Sequence, residues 1–72
     1  MKTIEEMLKY IEAHGEINEV YYHRTDPYWR IALTNRSIGK GRTGHTWTDH
    51  HNDLKTAFEE AIKMIDEGKN EN

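Results

Sequence analysis

Apolar side chains recur along this chain in two different periods. In residues 3–15, Ile4, Met7, Leu8 and Ile11 repeat at spacings of three, four and seven, which places them on one stripe of a helix. Thr3 followed by Glu6 is a capping-box pattern, Glu5 and Lys9 form a favourable i, i+4 pair, and Gly15 suits the left-handed position just past a helix end. A second stripe comprises Leu54, Ala57, Phe58, Ala61, Ile62 and Ile65, with Thr48, Asp49, Asn52 and Asp53 as candidate N-caps and Gly68 as its stop.

Between these stripes the period falls to two. The stretch INEVYYHR is rich in β-branched and aromatic residues and predicts a strand centred on 20–23. TDP at 25–27 breaks it, because proline cannot donate to a ladder and aspartate favours a turn. YWRIALT at 28–34 is the clearest strand: Trp29, Ile31 and Leu33 share one face, and Tyr28, Arg30, Ala32 and Thr34 the other. A turn at 35–37 and the glycines 39, 41 and 44 then interrupt the pattern before HTWT at 45–48 resumes it as a third short strand. Either His45 with Trp47 or Thr46 with Thr48 points inward there, and buried area favours Trp47.

The order is therefore helix, three strands, helix. Short connections favour an antiparallel meander, and two helices with one apolar stripe each are both buried if they lie on the same side of it. The expectation is an α+β domain over residues 1–68, with both helices on one face of a three-stranded antiparallel sheet and a frayed tail at 69–72. Its covered face would hold Trp29, Ile31, Leu33, Val20 or Tyr22, and Trp47.

Charge sharpens this picture. The net charge of −3 divides unevenly: residues 1–20 carry −3, residues 21–48 carry +4, and residues 49–72 carry −4. Arg24, Arg30, Arg36, Lys40 and Arg42 face only Asp26 within the middle third. The open sheet face and the loop beyond it thus become the candidate partner- or anion-binding surface, made of Tyr21, His23, Tyr28, Arg30, Arg36, Lys40 and Arg42. The loop contains GKGRTG, but it neither follows the G-x-x-x-x-G-K-[ST] order nor opens a helix in a parallel unit, so it does not read as a nucleotide-hydrolysing phosphate loop.

HTWTDHHND brings His45, Asp49, His50, His51 and Asp53 close in sequence. Histidine and carboxylate are metal ligands, and a divalent ion or a metal-dependent nuclease is one reading. Acidic residues at a helix start are equally explained as caps, and adjacent histidines on a helix diverge by about 100°. The cap reading is preferred, so neither a metal nor a cofactor is assigned. The chain has no cysteine, and Ser37 is its only serine and lies in a turn, so no nucleophile stands out and a non-enzyme is expected. No apolar run approaches the roughly 20 residues of a membrane span, and the expectation is a soluble cytoplasmic protein.

The helix–strand–strand–strand–helix order, with IGKGRTG ahead of the second helix, resembles the double-stranded RNA-binding domain. TDHHNDLKTAFEEAIKMI is similar to the strand-to-helix end of HicB-type antitoxin domains. A short, charged, cysteine-free chain resembles small phage proteins that bind host enzymes or defence complexes, anti-CRISPR proteins among them. The resemblance implies a non-catalytic interaction protein, encoded by a phage or mobile element, that binds and modulates a host protein or nucleoprotein complex. The alternative is a nucleic-acid or nucleotide-binding module using the basic middle third. An open sheet edge also makes a homodimer an expectation.

Overall fold

The computed structural model describes residues 2–70. Helix α1 (Ile4–His14) leads to strands β1 (Ile17–His23) and β2 (Tyr28–Thr34), a 3₁₀ turn (Asn35–Ile38), strand β3 (His45–Trp47) and helix α2 (Leu54–Asn70). The strands form one antiparallel sheet in the order β1-β2-β3. The fold is the expected α+β arrangement with an open three-stranded sheet.

α1 begins with the expected capping box. The Thr3 hydroxyl accepts from the Glu6 amide at 3.1 Å, and the Glu6 carboxylate accepts from the Thr3 amide at 3.0 Å. The backbone donor of Thr3, followed by its hydroxyl, holds the Glu6 carboxyl below its ordinary range. α2 is preceded by Asp53, whose carboxylate accepts from the Thr56 amide at 3.1 Å. Met7 and Ile11 of α1 meet Ala57, Phe58, Ala61 and Ile65 of α2 over Ile31 and Leu33 of β2, with Ile38 closing one end. Tyr10 donates to Asp66 at 2.7 Å across the two helices; that bond, then burial, raises the phenol above its ordinary pKa.

Two glycines behave differently from expectation. Gly15 is extended (φ −169°) rather than left-handed. Its role is close approach: a Cβ there would lie 2.8 Å from Cβ of Ser37, whose hydroxyl accepts from the Glu16 amide at 2.7 Å. Gly68 does not stop α2, which runs on to Asn70. There the Ile38 backbone lies against the helix where only a glycine admits it. The tail expected at 69–72 thus has its first two residues in helix, and 71–72 lie outside the described residues.

Trp47 faces the opposite way from expectation. Leu33 pairs with Thr46 and Ala32 with Trp47, so Thr46 lies on the helix side of β3 and Trp47 on the open side. The reason is a polar one. The Ile31 amide points toward β3 in a dry site, where the buried Thr48 hydroxyl accepts it at 3.0 Å and in turn donates to Asp49 O at 3.0 Å. Meeting that amide sets the strand's parity more firmly than burying an indole. Thr48→Val, which keeps the shape and removes the acceptor, is therefore expected to lower stability by about 1–3 kcal/mol in urea titration, and Thr48→Ser to restore most of it.

Candidate nucleic-acid interface

Cross-strand pairing defines which side chains share the face away from the helices. Since Ile31 and Leu33 are in the core, the alternate residues Tyr28, Arg30, Ala32 and Thr34 lie on the open face. Their partners join them: Glu19, Tyr21 and His23 from β1, His45 and Trp47 from β3. The sheet thus gathers four of the expected residues, Tyr21, His23, Tyr28 and Arg30, at its centre and at its Tyr28 end.

These side chains form a continuous array of rings. Tyr28 stacks with His23, which reaches it from β1 (centroids 5.0 Å apart, planes within 5°), and with His50, from the segment after β3 (4.0 Å, 6°). Tyr21 adjoins both His23 and Tyr28, at 6.3 and 6.2 Å. Tyr21 also meets Trp47 edge-on at 6.4 Å, although β1 and β3 lie on opposite sides of β2. The two rings can close over the central strand because Ala32, which pairs with Glu19 and Trp47, is small. It is fully buried beneath them although it belongs to the open face. His45 extends the array beyond Trp47, at 5.9 Å edge-on.

The array has one fixed cation. Arg30 donates from Nε to Thr48 O at 3.3 Å and holds its guanidinium 5.0 Å above the Trp47 ring. That leaves its terminal nitrogens for an incoming anion. His23 accepts from the Asp26 amide through Nδ1 at 3.2 Å, which ties the 24–27 turn to the strand and, in the neutral ring, places the proton on Nε2. Among the described residues, no carboxylate is ion-paired with Arg24, Arg30, Arg36, Lys40 or Arg42. Glu19 is the only acid that the strands bring to this face.

Two of the three loop cations, Arg36 and Lys40, are placed at the ends of the helices. The loop leaves β2 after Thr34 and rejoins at His45, with Gly39, Gly41 and Gly44 all at positive φ. Asn35 ties its neck: its amide donates to Gly44 O at 3.0 Å, its side chain donates to Thr43 O at 2.9 Å, and it accepts from the Thr46 hydroxyl at 2.7 Å. Arg36 borders a shallow hollow with His14, Glu16 and Ser37 at the end of α1. Lys40 lies beside Ile38, Met64 and Glu67 at the end of α2. Arg42 is exposed at the tip.

The histidines of HTWTDHHND do not converge. His45 lies against Trp47 and His50 against Tyr28, while His51 turns to the helix side and bonds Glu60 of α2. Among the described residues no group of three or more histidine and acidic side chains is placed to hold a metal ion. Trp47, His45 and His50 were not expected on the open face. The signal for His45 and Trp47 was the pair of threonines, Thr46 and Thr48, whose hydroxyls can meet polar groups on the inward side; the alternation carries no such signal for His50.

Comparison with protein-family models, with curated proteins and with solved structures finds no match for this chain. The class is accordingly defined by the fold alone: an open-faced α+β domain with its helices on one side of the sheet. No helix among the described residues is long and apolar enough to cross a membrane.

Proposed function

We propose that the protein is a non-catalytic binding module that takes single-stranded nucleic acid on its open sheet face. The observation that carries this reading is the array of six rings with Arg30 among them, on a face to which the strands bring one acidic residue. Bases have two flat faces, and the backbone between them is anionic, so exposed rings with a cation set among them suit a single strand. Tyr21, at 39% exposure, is the ring with the most open surface among the tyrosines of this face and serves as a stacking platform. Arg30, and Arg42 from the loop tip, pair with phosphate. A flat face of this kind suits an extended ligand better than an enclosed small molecule.

Fluorescence anisotropy with labelled oligothymidine and oligouridine tests it. Binding in the micromolar range at low salt is expected, weakening as salt is raised because phosphate contacts release counterions. Tyr21→Ala and Arg30→Ala are each expected to weaken it about tenfold, with circular dichroism unchanged, and Glu59→Gln on the far side of the molecule to leave it intact. Absence of binding to either oligonucleotide at low salt, or binding indifferent to both face substitutions, overturns the reading.

A second reading has its own support. Exposed Glu5, Glu12, Glu59 and Glu67 lie on the helices, opposite the ring face. Such a layer is suited to a basic host protein or nucleoprotein complex, the partner that the resemblance to small phage proteins implies. Capture of a protein whose retention depends on those glutamates and not on Tyr21 or Arg30 selects this reading.

A further inference from the structure

The outer strand β1 carries a second surface, distinct from the ring face. Among the described residues its outer edge has no partner strand, and the helices pack over β2 and leave the helix side of β1 overhanging. Val20 and Tyr22, which point to the helix side, remain 42% and 44% exposed. A groove of about 510 Å³ runs beside Val20, lined also by Leu8, Glu12 and Ile17.

The hydrogen-bond pattern fixes which backbone groups this edge presents. Thr48 donates to Ile31 O at 2.8 Å, so Ile31 bonds toward β3 and its neighbours Arg30 and Ala32 bond toward β1. Their partners Tyr21 and Glu19 therefore turn their backbone groups inward to β2. Val20 and Tyr22 turn theirs outward. The same two residues thus offer unpaired amides and carbonyls at the edge and uncovered apolar side chains beside it, the combination that a further antiparallel strand satisfies.

The strand is complementary to itself. With two copies of β1 antiparallel about a two-fold axis at Tyr21, Val20 of each lies opposite Tyr22 of the other in a hydrogen-bonded pair, on the helix side. Glu19 lies opposite His23 on the open face, and Tyr21 opposite Tyr21 in a non-hydrogen-bonded pair. Shifting the axis to Val20 sets Glu19 against Tyr21. Shifting it to Tyr22 sets Val20 against Arg24. Only the Tyr21 register matches both apolar with apolar and acid with base.

We propose that two copies of this chain join edge to edge through β1 in that register, turning two three-stranded sheets into one continuous sheet. Each Tyr22 covers the other copy's Val20 beside the α1 groove, and the ring faces of both copies become one surface. The pairing stands independently of what that surface binds, because its test reads mass and not ligand.

The chain has no cysteine, so an introduced one reports the register directly. Opposed residues of a non-hydrogen-bonded pair have Cα atoms about 4.5 Å apart, within disulfide reach. Tyr21→Cys is expected to cross-link nearly completely to a dimer under mild oxidation. Val20→Cys, about 8 Å from its counterpart in this register, is expected to cross-link at least about tenfold more slowly. Sedimentation of the unmodified chain is expected to give twice the monomer mass, Glu19→Lys to weaken association about tenfold, and Glu19→Lys with His23→Glu to recover it. A monomer at all concentrations, equal cross-linking at positions 20 and 21, or failure of the charge exchange to restore the dimer overturns the proposal.

Discussion

Phe58→Ala is expected to remove most of the stability of this protein. Phe58 is the largest side chain of the central core, 4% exposed on α2 and packed among Met7, Ile11, Ile31, Ala57 and Ile65. Truncating a buried phenylalanine costs about 3–5 kcal/mol, from lost transfer energy and from the cavity left behind. A 72-residue domain has only about 4–11 kcal/mol in total, at about 0.05–0.15 kcal/mol per residue. Ala57 and Ala61, its small neighbours in the core on the same helix, are too short to close the gap. Thermal denaturation followed by circular dichroism should show a midpoint lower by about 15 °C or more. A shift of only a few degrees would mean that the helices collapse onto the sheet without the ring.

Gly68→Ala is the second large effect, and its sign is the informative part. In an exposed helix interior this change stabilises by about 1 kcal/mol. Here a Cβ would lie 2.5 Å from the Ile38 carbonyl oxygen, 2.6 Å from its carbon and 2.7 Å from its Cα. A side chain could swing aside, but these are backbone atoms. To relieve the overlap, the whole 3₁₀ turn must move, and Ile38, 3% exposed, must leave its place in the core. Overpacking of this kind costs about 1–3 kcal/mol, occasionally more, and outweighs the gain in helix propensity. Urea denaturation should show a net loss of about 2 kcal/mol. An unchanged or higher midpoint would show that α2 and the turn do not meet so closely.

These two sites also show what was legible in the sequence. Phe58 belongs to a stripe with period near 3.6, and that stripe gave the helix, its buried side and its packing partner. Thr3 and Glu6 named the start of α1 because both halves of the capping box lie within three residues. The alternation of 28–34 placed Trp29, Ile31 and Leu33 toward the helices, and with them Tyr28 and Arg30 toward the open side. What was not legible depends on chain segments distant in sequence. Gly68 reads as a helix stop until Ile38 is known to lie against it. Gly15 reads as a left-handed cap until Ser37 is. The orientation of Trp47 was decided by an amide on β2 and a hydroxyl on the segment after β3, a contact that no measure of hydrophobic area contains. His50 joined the ring face because the chain bridges back from His51 to Trp29 after β3. Arg36 and Lys40, close to the rings in sequence, fold instead against the ends of the two helices.

The manner in which Asn35 closes the loop has an evolutionary consequence. One side chain and its own backbone clasp both arms at the neck, and the Lys40 amide bonds back to the Asn35 carbonyl at 2.9 Å. The conformational entropy of closing the excursion is met there, and lengthening a loop beyond a closed neck adds only slowly to that cost. Descendants of this chain can therefore exchange the charged tip around Arg42 for another, by changing a few codons, without retuning the sheet.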